Sequence, residues 1–196
     1  PDVDQAALVT RRQAEQLEAA RALGATGEVI FLGRIDGELA ADRETVAAVS
    51  EVIRQLRPAA VLGHDPWRRY RLHPDHETAG RLAVEGIVAA RDPFFFPEQL
   101  DGRIEPHRPD VLLLFEPDVV NHLELLSEGD LTAKLTALEA FESQLETTHF
   151  YKLDAGQSRE EALARFRDRE RSRCTDVQGA PRGDLAEPFH LIVDRL

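Results

Sequence analysis

The sequence predicts an α/β fold, a mostly parallel sheet flanked by helices, and three observations carry that expectation. Val29-Ile30-Phe31-Leu32, Ala59-Ala60-Val61-Leu62-Gly63 and Val111-Leu112-Leu113-Leu114-Phe115 are short, continuous apolar runs, the pattern of strands buried on both faces. Intervening stretches place apolar residues at helical spacing. Helix and strand alternate, the order that builds parallel sheets through crossover helices.

Residues 4 to 23 read as an amphipathic helix in which Ala7, Leu8, Leu17, Ala20 and Leu23 share a face, with Arg11, Arg12, Glu15 and Glu18 towards water. Gly24 and Gly27 end it. After the 29–32 strand closed by Gly33, Asp42 is placed to cap a helix carrying Val46, Val49, Val52, Ile53 and Leu56, which stops before Pro58. The 59–63 strand follows. His64 to Leu72 shows no periodicity and lies just beyond that strand's carboxyl end, where ligands gather in open α/β sheets. Asp75 or Pro74 opens a helix to about Arg91, ended by Asp92-Pro93. Phe94-Phe95-Phe96 then packs under a loop or lines a pocket mouth, with packing favoured. Beyond the 111–115 strand, a helix is expected over about 131–145, a charged surface helix over 159–173, a loop over 178–183 and a last strand over 189–193. Neither a repeat nor a second domain is visible, so residues 1–196 read as a single domain.

Composition narrows the function classes. The formal charge of −12 argues against a nucleic-acid partner, which would demand basic patches. The single cysteine, Cys174, excludes an internal disulfide and a multi-thiolate metal site, and suits a reducing cytoplasm. No apolar run approaches the roughly 20 residues that span a bilayer.

The run His73-Pro74-Asp75-His76 carries the most chemistry. Two imidazoles three residues apart, with a carboxylate between them, enter a helix N-terminus. That position disfavours imidazolium, and a metal-ligating imidazole must be neutral. A nearby carboxylate could hold a ring in its ligating tautomer. The plain alternative is two polar residues at a helix start.

The surrounding residues resemble the LmbE-like, or PIG-L-type, zinc-dependent N-deacetylases of amino sugars. Arg12 and Glu15 through Ala19-Ala20 to Leu23-Gly24 look like that family's first helix here. Phe31-Leu32-Gly33 with Asp36-Gly37 fits its turn, and Arg57-Pro58, the HPDH run and Gly80 follow in order. Asn121-His122, Lys134, Ala137-Leu138, Ser143-Gln144, Ala186-Glu187 and Phe189 complete the resemblance. It implies a Rossmann-like sheet of the LmbE-like deacetylase fold. The family's opening strand and H-P-D-D-E-type loop, which supplies two zinc ligands and the general base, has no counterpart in residues 1–196. The sequence also contains no Met, where ordinary usage would give roughly a few. The expectation is therefore a domain lacking its N-terminal part, inactive by itself and belonging to a longer protein.

By the same resemblance, His76 is the metal ligand, for Zn2+ or, in a two-His, one-carboxylate set, Fe2+. His73 stays off the metal, facing the developing oxyanion and protonating the leaving amine. Asp75 orients an imidazole or caps the helix. Arg69, Tyr70 and Arg71, which with Arg68 interleave cations and an aromatic, grip a polar or anionic substrate or else pair with local carboxylates. Trp67 packs the loop or stacks on a sugar. His122 contacts substrate or is a satisfied loop histidine. Leu125, near which relatives often carry Asp, and Phe141, where they often carry His, put the substrate in question. His64-Asp65 could be read as a metal dyad of phosphohydrolase type, but a structural role for Asp65 is the better reading. The implied activity is zinc-dependent hydrolysis of an N-acyl group on a small amino-sugar molecule, with homo-oligomerisation open. The alternatives are an amidase acting on a thiol conjugate, a non-catalytic binding module if the chain is complete, or a metal phosphohydrolase.

Overall fold

A computed structural model of the chain describes residues 4–145, 158–175 and 177–193. The elements are α1 (Gln5–Ala22), α2 (Arg43–Leu56), β1 (Ala60–His64), α3 (Pro74–Arg91), a 3-10 turn (Pro97–Gln99), β2 (Val111–Phe115), β3 (His122–Leu126), α4 (Glu128–Glu139), α5 (Glu142–Leu145), α6 (Arg159–Thr175) and β4 (Leu185–Val193). The four strands form one sheet in the order β1-β2-β4-β3. It is mixed: β1 and β2 run parallel, with His64 opposite Phe115, and β4 pairs antiparallel with β2.

The chain divides into two compact units, residues 1–31 with 125–187 and residues 32–124 with 188–196. In the second unit, Ile53, Ile87, Ala90, Leu112 and Leu114 form the core between the α2–α3 pair and the sheet, with Ile192 against it. Val46, Leu82, Ala89 and Phe96 extend it. Asp42 caps α2 through a bond from the Thr45 amide, as its position before the apolar series predicted. The aromatic triplet divides: Phe96 is buried, whereas Phe94 and Phe95 are exposed.

In the first unit, Leu145, Ala162 and Phe166 form one cluster and Leu131, Cys174 and Leu185 another. Helix α1 departs from its expected orientation. Leu8, Leu17 and Leu23 are exposed, and Glu15, expected to face water, is buried. The reason is a specific bond set: Glu15 accepts from the Ser143 amide at 2.8 Å and its hydroxyl at 2.6 Å. The expected 131–145 helix begins earlier, because Ser127 and Asp130 make a capping box. It also breaks at Ala140–Phe141 into α4 and α5.

Three further differences concern strands. Residues 29–32 are not a strand, and Ile30, Phe31 and Leu32 are exposed. An apolar run becomes a strand only with a neighbour for its amides, and no described strand runs beside it. Residues 122–126, by contrast, do form a strand, and the last strand begins four residues earlier than expected.

Candidate active site

The site lies in the second unit, where α3 starts beyond the carboxyl ends of β1 and β2. Close packing brings these parts together. A Cβ on Gly80 would lie 2.4 Å from the His64 carbonyl oxygen, so only glycine lets this turn of α3 approach the end of β1. His76 sits one turn earlier on the same helix face. Asp65, next in sequence, is buried and fixes the loop that follows. Its carboxylate accepts from the Trp67 amide at 2.9 Å and the Asp118 amide at 3.0 Å, the structural role expected of it.

Three imidazoles stand in a row as a result. His64 stacks on His76 with centroids 4.4 Å apart and planes 11° from parallel, and His76 lies 5.0 Å from His73 at 23°. Burial pulls the His64 imidazole down to about 4, with His76 and the Arg71 charge adding to the effect. His76 is lowered too, by burial first and then by His73 and Arg71. The central ring is thus favoured as neutral imidazole, the form that binds a metal.

Hydrogen bonds assign the outer rings. His73 is the N-cap of α3, and its Nδ1 accepts from the Asp75 amide at 3.3 Å. The proton of neutral His73 therefore sits on Nε2, which is 3.6 Å from Asp36 Oδ1. Asp75 is bonded to the 36–37 turn in this arrangement. One carboxylate oxygen accepts from the Gly37 amide at 2.6 Å, tying the 36–37 turn to the helix start, and the other is buried without a hydrogen-bond partner among the described residues. On the other side, Arg71 Nη1 lies 2.7 Å from His64 Nδ1 and 3.2 Å from Glu116 Oε2. Glu116 immediately follows β2 at φ 52°, a left-handed conformation, and its carboxylate is also 3.3 Å from Arg68.

Of the residues singled out from sequence, the structure gathers His73, Asp75, His76 and Arg71. Arg69 instead pairs with Asp118 at 2.7 Å on the outer loop. Tyr70 is 92% exposed at φ 60°, and Trp67 is exposed as well. His122 pairs with Glu124 at 3.1 Å. Sequence reasoning missed His64 and Glu116 as site members. Both stand at strand carboxyl ends, and that placement was the available signal.

His64, His76 and Glu116 bring potential ligand atoms within 4.8 Å of one another. Their bonds decide how far they fit a metal. Arginine only donates, so His64 Nδ1 is an acceptor and the ring's other nitrogen carries the proton in the neutral form. Glu116 Oε2 is shared by two guanidinium groups. Catalytic zinc typically takes three protein ligands; the His76 ring makes no hydrogen bond among the described residues, and a second group, Asp36, His73 and Asp75, also brings potential ligand atoms within 4.8 Å of one another.

The chain is similar to several known proteins. Residues 2–87 match the family model described as PIG-L, GlcNAc-PI de-N-acetylase. A diacetylchitobiose deacetylase of Thermococcus kodakarensis is 34% identical over 137 residues, 70% of this chain and 51% of the relative. A 4-oxalmesaconate hydratase of Pseudomonas putida is 30% identical over 115 residues, 56% of this chain and 43% of the relative. The structure of N,N'-diacetylchitobiose deacetylase from Pyrococcus horikoshii matches with a TM-score of 0.75, covering 95% of this chain and 64% of that one at 24% identity, a likeness of fold. The chain spans about half the length of these curated relatives or less.

Proposed function

The chain belongs to the PIG-L/LmbE-like family, and from that premise we propose that the protein hydrolyses an N-acyl amide, in the first instance N-acetyl, on a small molecule containing an amino sugar. The observation that carries the proposal is the imidazole row: a ring favoured as neutral at a helix start, flanked on both sides by further imidazoles.

In this reading His76 holds Zn2+, with Fe2+ as the alternative ion. The bound metal would polarise the acyl carbonyl and acidify a water. His73 acts beside it. Its Nδ1 is engaged by the helix amide, so Nε2–H is the hydrogen-bond donor it offers to the developing oxyanion, and the proton taken up by the leaving amine is the one released by the attacking water. Asp36 Oδ1 faces that same nitrogen at 3.6 Å. Asp75 fixes the 36–37 turn against the start of α3 and so positions both partners. Arg71, on the imidazole row, is the substrate-facing cation of this reading, whereas Arg69 is paired with Asp118, Tyr70 is exposed and His122 is paired with Glu124.

The test is product analysis of the full-length natural protein, loaded with zinc, against a panel of N-acyl hexosamines. Release of the free amine and the carboxylate is expected from at least one of them. His76→Ala should lose bound zinc as well as turnover. Absence of amine release across the panel would overturn the proposal.

A second reading is hydration of an unsaturated oxo-acid. It is supported by the hydratase relative and by the two guanidinium groups at the site, which suit a carboxylate substrate. Loss of the conjugated ultraviolet absorbance of 4-oxalmesaconate on incubation would favour it over amide hydrolysis.

A further inference from the structure

Three sides of the His64 ring are accounted for. His76 stacks on it at 4.4 Å, Phe115 leans on it at 4.3 Å and 56°, and Arg71 Nη1 holds Nδ1 at 2.7 Å. The remaining polar atom is Nε2. It has no partner among the described residues, and it is not one of the buried unpaired atoms, so it stays open to a ligand. Because guanidinium has no acceptor, the Arg71 contact requires a lone pair on Nδ1, which places the proton of the neutral ring on Nε2. Glu116 in turn pins the same Arg71 nitrogen at 3.2 Å, so the fork is held from two sides. An uncharged imidazole with one open N–H, fixed in orientation, is a preorganised hydrogen-bond donor.

We propose that His64 is a second donor of the site, locked as its Nε2–H tautomer by Arg71 and Glu116, and that it binds the acyl oxygen of the substrate from the side of His76 opposite His73. The proposal rests on the amide-hydrolysis reading for the identity of the bound oxygen, but not for the tautomer. Rings at 4.4 and 5.0 Å on either side of His76 bring two N–H groups to the flanks of whatever oxygen approaches that central ring. Arg71 is a positioning residue here, acting through the His64 ring.

The experiment uses selectively 15N-labelled imidazole in the natural full-length protein near neutral pH. The His64 Nε2–H tautomer is expected, and Arg71→Met should give a mixture of tautomers. Adding sodium acetate, a probe for the acyl oxygen, should shift the Nε2 resonance. Kinetically, His64→Phe keeps a ring against His76 and Phe115 but removes the N–H. It should keep its zinc and its fold by circular dichroism, yet lose about 100-fold in kcat with little change in KM. His64→Gln, whose amide can supply an N–H, should recover part of that loss. An Nδ1–H tautomer, no response to acetate, or His64→Phe turning over within a few-fold of wild type would each overturn the proposal. If the wild-type protein hydrolyses no amide, the functional reading fails by itself, and the tautomer and the acetate shift still decide the role of His64.

Discussion

Arg54 and Arg71 lie in the same unit with their side chains almost wholly withdrawn from water, 1% and 6% exposed, but their surroundings answer the charge differently. Arg54 donates to the carbonyls of Ala89, Ala90, Asp92, Phe95 and Phe96 and to the Gln99 side chain, at 2.7 to 3.2 Å. Those carbonyls include the last ones of α3, which have no partner within the helix. One guanidinium thus closes a helix end and folds the following loop onto it. Arg71 uses one nitrogen, on His64 and Glu116, while its Nε and Nη2 are buried with no partner among the described residues. A buried donor without an acceptor costs about 1–3 kcal/mol, so evolution toward stability alone would complete the set or remove it. On the proposed function, the difference separates a charge that holds the fold from one kept for the site.

The sharpest way to break this comparison is Arg54→Leu. Five carbonyls would lose the guanidinium, four of them keeping a backbone amide donor, and the expected loss is about 3 kcal/mol or more in urea unfolding, with the 92–99 segment opened to protease. A loss under about 1 kcal/mol would show that Arg54 is no more structural than Arg71. Next in size is Gly80→Ala. Close backbone packing of α3 on the end of β1 brings the site together, and the added methyl would meet the His64 carbonyl oxygen at 2.4 Å. The expected cost is about 1–3 kcal/mol and, on the proposed zinc reading, weaker metal retention because His76 shifts with this turn of α3. Wild-type stability and metal content in the Gly80→Ala variant would refute the packing account.

Glu15 extends the comparison to the other unit, as a buried charge that resembles Arg54. Burial would raise its pKa, but the bonds from Ser143 and Arg11 outweigh that and hold the carboxyl below its usual value of 4.5. Its stabilisation is therefore complete above about pH 4.5 and is lost as the pH falls through the depressed folded value. Glu15→Gln should remove about 1–2 kcal/mol near neutral pH and flatten this acid limb of the stability profile. An unchanged limb would place the bonds to Ser143 among the dispensable ones.

These contrasts also show which parts of the molecule were legible in the sequence. Helix α2, strands β1 and β2 and the start of α3 were readable because each has a local signature: Asp42 before an apolar series, an apolar run ended by His64, Pro74 at the first helical turn. His73 and His76 are three residues apart on one helix, so their proximity is also local. His64 and Glu116 join them only through the parallel register of β1 and β2, in which His64 lies opposite Phe115. That pairing is written in no single segment. Glu15 was misplaced for the same reason, since nothing near it announces Ser143, which is 128 positions away. The 29–32 run shows the converse error, in which apolar composition is read as burial although burial depends on a neighbour.

The smallest expected effect is the most informative about Arg71. Replacing it by Met removes the bonds from Nη1 to His64 and Glu116, worth roughly 1–3 kcal/mol together, and at the same time removes two unpaired buried donors of similar cost. The two changes nearly cancel, and methionine's flexible thioether fills much of the volume left by the guanidinium stem. Stability to urea should therefore stay within about 1 kcal/mol of wild type, with Glu116 still paired to Arg68 at the rim. If Arg71→Met instead unfolds the protein as readily as Arg54→Leu, the guanidinium is a strut of the 64–73 loop, and its unpaired nitrogens do not mark a charge retained for the site.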